Sequence, residues 1–175
     1  MKFDHKDKLD TFLASIDAYL TDENNQIEVV YSPKYIDSWI AEELARVNEQ
    51  LLSDASGVAN VYMLFTAPRD DSNYRLRYIG KTTRKLARQR LRNHLFKKHD
   101  GTGAKLSSVM AHVRAKGTVR LSWATIEPES LRNWAEEELI SAHPEADWNR
   151  ENVRKSRFAS PTLVAQQNPP DELEN

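Results

Sequence analysis

The sequence predicts an α+β domain: a small three-stranded antiparallel sheet flanked by helices, with an N-terminal helical extension and a C-terminal tail. Three observations carry that expectation. Two apolar stretches in mid-chain, "VANVYMLF" and "YRLRYIG", are separated by the turn-forming "TAPRDDSN", which is a hairpin signal. Helical periodicity prevails on both sides of that pair. The third alternating stretch, "TVRLSWATI", comes only after two further helices, so helices gather late instead of alternating with strands.

Each element follows from its residues. Residues 5–20 place Leu9, Phe12, Leu13, Ile16 and Leu20 at helical spacing. "IEVVY" reads as a short strand or an extended linker. "SPKYIDSWIAEELARVNEQLL" predicts one helix, with Ser32 as N-cap, Pro33 at its first position, and Ile36, Ile40, Leu44 and Val47 as its apolar stripe. These two acidic helices are expected to form a hairpin or clasp that packs behind the sheet or builds a dimer. The first strand is expected at 58–65. In the second, Tyr74, Leu76 and Tyr78 alternate with Arg75 and Arg77. A helix follows over 83–98, with Ala87, Leu91 and Leu95 as its stripe, and "DGTG" at 100–103 breaks the chain. Residues 105–116 form another helix, which Gly117 stops. The third strand occupies 118–126. "PESLRNWAEEELISA" is a helix ended by Pro144, with "DWN" in a loop beyond it. The Pro- and polar-rich stretch past residue 158 reads as a flexible tail or a docked arm. The expected divisions are 1–57, 58–150 and 151–175.

Composition narrows the chemistry. The 175 residues contain no Cys, which removes disulfides and thiolate metal sites and suits a reducing compartment. No apolar run approaches the roughly 20 residues that span a bilayer, and no secretory core follows the N-terminus, so a cytoplasmic location away from membranes is expected. The net charge of −1 conceals a strong asymmetry. Residues 1–57 hold five Lys/Arg against twelve Asp/Glu, residues 75–120 hold fourteen against Asp100 alone, and residues 121–150 hold two against seven. A basic block between acidic ones marks a polyanion-binding face, and phosphate backbones are the commonest such partner.

Two motifs fail on inspection. "GKTT" ends like a phosphate-binding loop, but the glycine required five positions before Gly80 is Arg75. His94, His99 and His112 lack the same-face spacing of a helical zinc site.

A longer pattern holds together. "ANVYM" with Tyr62, "YIG" at Tyr78–Gly80 sixteen residues on from that tyrosine, "RLRNH", "EEELI" and "DWN" occur in order. Over residues 58–150 this resembles the GIY-YIG nuclease family, most closely its stand-alone restriction or defence members. The resemblance implies a catalytic set of Tyr62, Tyr78, Lys81, Arg90, His94, Glu136 and Asn149, with Glu136 holding one Mg²⁺ (Mn²⁺ as a substitute). Arg88 rivals Arg90, and Glu138 rivals Glu136, lying by helical spacing nearer the Leu131, Ala135 and Ala142 side. Asn60 and Val61 stand where the family has glycine and isoleucine, so only the tyrosine of the first motif is kept.

The residue types suit phosphodiester hydrolysis, which needs a proton acceptor for water, charge neutralisation on phosphoryl oxygens and help for the departing oxygen. A tyrosine serves as base only if a cation or metal lowers its pKa from about 10, and Lys81 is placed to supply that cation. Gly80 lets the strand turn sharply and phosphate approach the backbone. Arg90 and His94 are i, i+4 neighbours, one suited to gripping phosphate and the other to donating a proton. A lone carboxylate suits a one-metal site, and Asn149 would lock backbone nearby.

Arg84, Arg88, Arg92, Lys97, Lys98, Lys105, Arg114 and Lys116 are candidate phosphate contacts along double-stranded DNA. A homodimer would cut both strands. A non-cleaving nucleic-acid-binding module, or a nuclease for RNA or for branched or single-stranded DNA, uses the same residues.

Overall fold

The computed structural model describes residues 5–97 and 105–152, the last three by backbone alone. Lys98, His99, the "DGTG" break and the tail from 153 lie outside the described residues. The elements are α1 (Lys6–Thr21), β1 (Ile27–Glu28), α2 (Pro33–Ile36), α3 (Ala41–Val47), α4 (Glu49–Ala55), β2 (Val61–Ala67), β3 (Arg75–Lys81), α5 (Ala87–Leu95), α6 (Leu106–Arg114), β4 (Thr118–Ala124) and α7 (Arg132–Ala142). Short 3₁₀ turns follow α1 and precede α5 and α7, and a fourth spans Asp147–Asn152, where a loop was expected. No helix among the described residues is long and apolar enough to cross a membrane.

The α+β class is as expected, but the sheet has four strands, not three, in the antiparallel order β1-β4-β2-β3. The extra strand is the "IEVVY" stretch, where Ile27 and Glu28 pair with Leu121 and Arg120. Two residues carry too little periodicity to register as a strand.

β2 is central and buried throughout, so it faces two cores. Tyr62 and Leu64 join Tyr78, Val119 and Leu121 beneath α3, α4, α5 and α6. Val61, Met63 and Phe65 point the other way, against Ile16 and Leu20 of α1 and Ala135 and Leu139 of α7. Each fully buried side chain of this size contributes about 1.5–3 kcal/mol. The N-terminal segment thus clasps the sheet, with α1 on one face and α3–α4 on the other.

Two sequence expectations fail for visible reasons. Leu76 and Tyr78 do not share a face: the register passes from Leu64–Tyr78 to Phe65–Leu76, leaving Arg77 as an extra, bulged residue. The bulge sends Leu76 to the α1/α7 core and Tyr78 to the other. It also brings Arg77 to Asp147 (3.0 Å) and over the Trp148 ring (5.2 Å). The helix expected from Ser32 breaks into three. Pro33 does open α2, but Ser32 makes no side-chain cap, and Trp39 at φ 46° ends the first piece while its indole N–H donates to Phe96 O (2.8 Å). Asn48 separates α3 from α4 and holds both N–H and C=O of Val30 (2.8 Å each). Of the expected stripe, Leu44 is buried while Ile40 and Val47 are exposed.

α1 and α7 are tied by His143, whose ring nitrogens meet Asp17 (2.8 Å) and Glu145 (2.6 Å). Burial disfavours the imidazolium, but the two carboxylates outweigh it and raise the pKa. A raised folded pKa adds stability below the unfolded value of about 6.5, and that stability disappears as pH rises through the folded pKa. The thermal midpoint of wild type relative to His143→Gln is therefore expected to be highest below pH 6.5 and to shrink toward pH 8. A pH-independent difference would refute the ionic clasp.

Candidate active site

Antiparallel pairing of β2 and β3 sets Tyr62 opposite Gly80 and Leu64 opposite Tyr78. The two phenols therefore lean over Gly80 on one face, with ring centroids 6.2 Å apart. A Cβ on Gly80 would lie 2.7 Å from Cζ and Oη of Tyr62 and from Cε1 of Tyr78, so only glycine lets both rings close over the strand. Gly117 is needed for a different reason from the helix stop expected of it. The imidazole of His112 covers it, while Lys116 adopts the left-handed conformation (φ 66°) at the end of α6.

α5 delivers Arg90 and His94 to the same place. The His94 ring lies 5.6 Å from that of Tyr62 and 5.0 Å from that of Tyr78. Lys105 N–H donates to His94 Nδ1 (3.1 Å). A nitrogen that accepts carries no proton, so the neutral ring is protonated on Nε2, which donates to the Tyr62 hydroxyl (2.9 Å). Burial, with the charges of Arg90 and Lys105, lowers the His94 pKa to about 3. His94 was expected to touch phosphate or protonate a leaving oxygen. Fully buried, with both nitrogens engaged, it orients Tyr62 instead.

Beyond Tyr62 the site opens toward Tyr78, and the positive charge of Arg90 acts on both phenols. Burial raises both phenol pKa values, Tyr62 well above 10, although Arg90 opposes the shift at each. The cation expected beside the phenols was Lys81. Successive strand residues point to opposite faces, so Lys81 leaves the phenols and pairs with Glu136 on α7, Nζ to Oε2 2.5 Å. Arg90 takes the place beside the phenols that was expected for Lys81.

Placement also separates the rivals. Glu136 is only 14% exposed in its ion pair and acts on both phenols, whereas Glu137 and Glu138 are exposed. Arg88 bonds Glu49 on α4 (2.7 Å), away from the phenols. Asn149 grips the edge of β3 from outside, accepting from Ile79 N–H and donating to Ile79 O (2.8 Å each). Truncation would strand two buried backbone groups, so Asn149→Ala is expected to lower stability by about 2–4 kcal/mol in urea unfolding. A loss under about 0.5 kcal/mol would mean that water replaces the clamp.

The expected nucleic-acid contacts divide. Arg84 is held by Glu127 (2.8 Å), while Arg92 and Lys97 face Glu42 at 3.6 and 3.7 Å. Together with Arg88–Glu49, these pairs lay the acidic helices α3 and α4 against basic α5, so that strip is partly neutralised instead of bare. Arg114 donates to Asp37 O (3.2 Å), and Lys116 is exposed at the far end of the sheet. Lys105 is nearly buried, with Nζ 5.6 Å from the Tyr78 ring centroid, so it belongs to the centre itself. Nothing in its local sequence distinguishes it. Asn60 was also missed: it clamps Ile126 N–H and O (2.8 Å each), joining β2 to the residue beyond β4.

The centre therefore sets Arg90 and Lys105 beside the two phenols, with the Lys81–Glu136 ion pair across the strand from them. Such a surplus of fixed positive charge suits a phosphoryl group. No group of three or more His, Asp or Glu side chains placed to hold a metal occurs among the described residues. Glu136 alone fits a cation such as Mg²⁺, which needs only one or two carboxylates when water and phosphate oxygens complete its shell. Family models, curated proteins and solved structures return no match to this chain.

Proposed function

We propose that this chain is an Mg²⁺-dependent endonuclease of the GIY-YIG type that hydrolyses phosphodiester bonds in DNA. The observation that carries this reading is the convergence of Tyr62, Tyr78, Arg90 and the Lys81–Glu136 pair from three separated stretches of chain. A restriction or defence role follows from the resemblance of the motif order, and a homodimer would present two centres to one duplex.

The residues divide the work. Arg90 holds the phosphoryl oxygens through its forked guanidinium and supports phenolate charge. Tyr78 would accept the proton of the attacking water as a phenolate, its own proton having first passed to solvent while the charge of Arg90 holds the anion. Lys105 N–H and His94 orient Tyr62 beside it. Tyr62 and His94 are positioning residues. Glu136 would hold Mg²⁺, which supplies Lewis-acid stabilisation of phosphoryl charge when bound. With Glu136 so engaged, the Lys81 ammonium, now its ion-pair partner, would be free to meet the nucleic acid.

The test is nicking of supercoiled plasmid with and without Mg²⁺, extended to RNA, branched and single-stranded substrates. Wild type is expected to cut only with Mg²⁺, and Glu136→Gln to cut at least about 10²-fold slower. Tyr78→Phe should cost more than Tyr62→Phe. Equal rates for wild type and Glu136→Gln on every substrate would overturn the enzyme reading. The buried phenols with raised pKa values and the occupied Glu136 favour a second reading, a non-cleaving nucleic-acid-binding module. Tight, Mg²⁺-independent binding without cleavage would select it.

A further inference from the structure

A cavity of about 500 Å³ opens at the opposite end of the sheet from the phenols. It forms because β1 stops after two residues while β4 runs on to Thr118, which leaves the outer flank of β4 uncovered. Thr118 pairs with Ala67, five residues along β2 from Tyr62, so this end of the cavity lies about 16 Å along the strand from Tyr62.

Its lining combines three kinds of group. Val29, Ile36 and Val113 make an apolar floor beside Tyr31. The Tyr31 hydroxyl turns away to Leu95 O (3.3 Å), so its ring borders the cavity. Arg69, Arg114 and Lys116 bring positive charge, and Glu28 and Asp37 bring carboxylates. Among the described residues, Glu28, Lys116 and the Asp37 carboxylate enter no ion pair. Strain gathers here as well. Among the described residues, the three non-glycine residues with positive φ are Lys116 in the lining, Asp70 beside Arg69, and Trp39, over whose ring Arg114 sits at 6.0 Å. Sparsely populated backbone conformations held together around one cavity are typical of ligand clamps.

We propose that this cavity binds one unstacked nucleotide. A nucleotide unites a flat π face, a phosphate and ring or exocyclic N–H donors, which are the three chemistries of the lining, in a volume the cavity admits. The base lies against Tyr31, the phosphate meets Arg69 and Lys116, and Glu28 and Asp37 accept from the amino group of the base. Thymine lacks that amino group and binds more weakly. This site needs neither Mg²⁺ nor strand cleavage, so it stands or falls separately from the nuclease reading.

The experiment is an amide-detected NMR titration of the full chain with dCMP, in the presence of a chelator. Saturable shifts are expected at Tyr31, Lys116 and Thr118, with a Kd below about 1 mM and binding of dTMP several-fold weaker. The Arg69→Ala/Lys116→Ala double variant should weaken dCMP binding about tenfold with its spectrum otherwise intact. Asp37→Ala with Glu28→Ala, which removes both acceptors, should abolish the preference over dTMP, and Arg90→Ala should change neither. A trinucleotide binding more tightly than dCMP assigns the site to a nucleotide within a strand, and equal affinity assigns it to a free one. Inorganic phosphate binding as well as dCMP, shifts centred on Tyr78 and Arg90, or a double variant equal to wild type would each overturn the proposal.

Discussion

Arg90→Ala is expected to reduce the proposed strand cleavage by about 10³-fold, equivalent to about 4 kcal/mol of transition-state stabilisation. Two losses combine. The guanidinium is the cation whose charge reaches both phenols, and it opposes the upward pull of burial on both. It is also the forked donor best placed for phosphoryl oxygens. Arg90→Lys restores charge but not the fork, so it should recover less than about tenfold. Binding of uncleavable duplex should weaken only a few-fold, because charge on the flanks remains. A purely structural Arg90 would give a different signature: lower thermal stability, with cleavage per folded molecule unchanged. That outcome would remove Arg90 from the proposed chemistry.

Gly80→Ala should damage both stability and the proposed activity. The added methyl meets ring atoms at 2.7 Å where ordinary contacts lie near 3.5–4 Å. Tyr62 is fully buried and Tyr78 nearly so, which leaves neither ring room to swing aside. Overpacking of this kind costs about 2–3 kcal/mol, or about 5–10 °C in thermal midpoint. Displacing the phenols by even about 1 Å should lower cleavage by about 10²-fold. Adding Tyr62→Phe removes one of the clashing atoms, so the double variant should be less destabilised than the sum of the two single changes. Strict additivity, or a Gly80→Ala protein as stable as wild type, would show that the rings do not close over the strand as described.

The alternative readings of the site illustrate where a linear pattern stops. Glu136, Glu137 and Glu138 are adjacent on α7, and helical spacing favours Glu138 for the side of Leu131 and Ala135. The ion pair with Lys81 selects Glu136, because α7 crosses the end of β3 at an angle that periodicity does not encode. Arg88 and Arg90 differ by two positions, which places them on different sides of α5. Glu49 on α4 takes one and the phenols take the other.

Local chemistry was legible in the amino-acid order: a continuous apolar run marked β2, alternation marked β4, helical stripes marked α1, α5, α6 and α7, and "YIG" marked the strand end where glycine is indispensable. These features depend on neighbours within a few positions. The direction of Lys81, the bulge at Arg77, the two-residue β1, the breaks at Trp39 and Asn48, the burial of His94 and the entry of Lys105 into the centre were decided only by the tertiary structure. Each depends on a contact between stretches far apart in the chain, and a residue's own neighbours carry no record of what will pack against it.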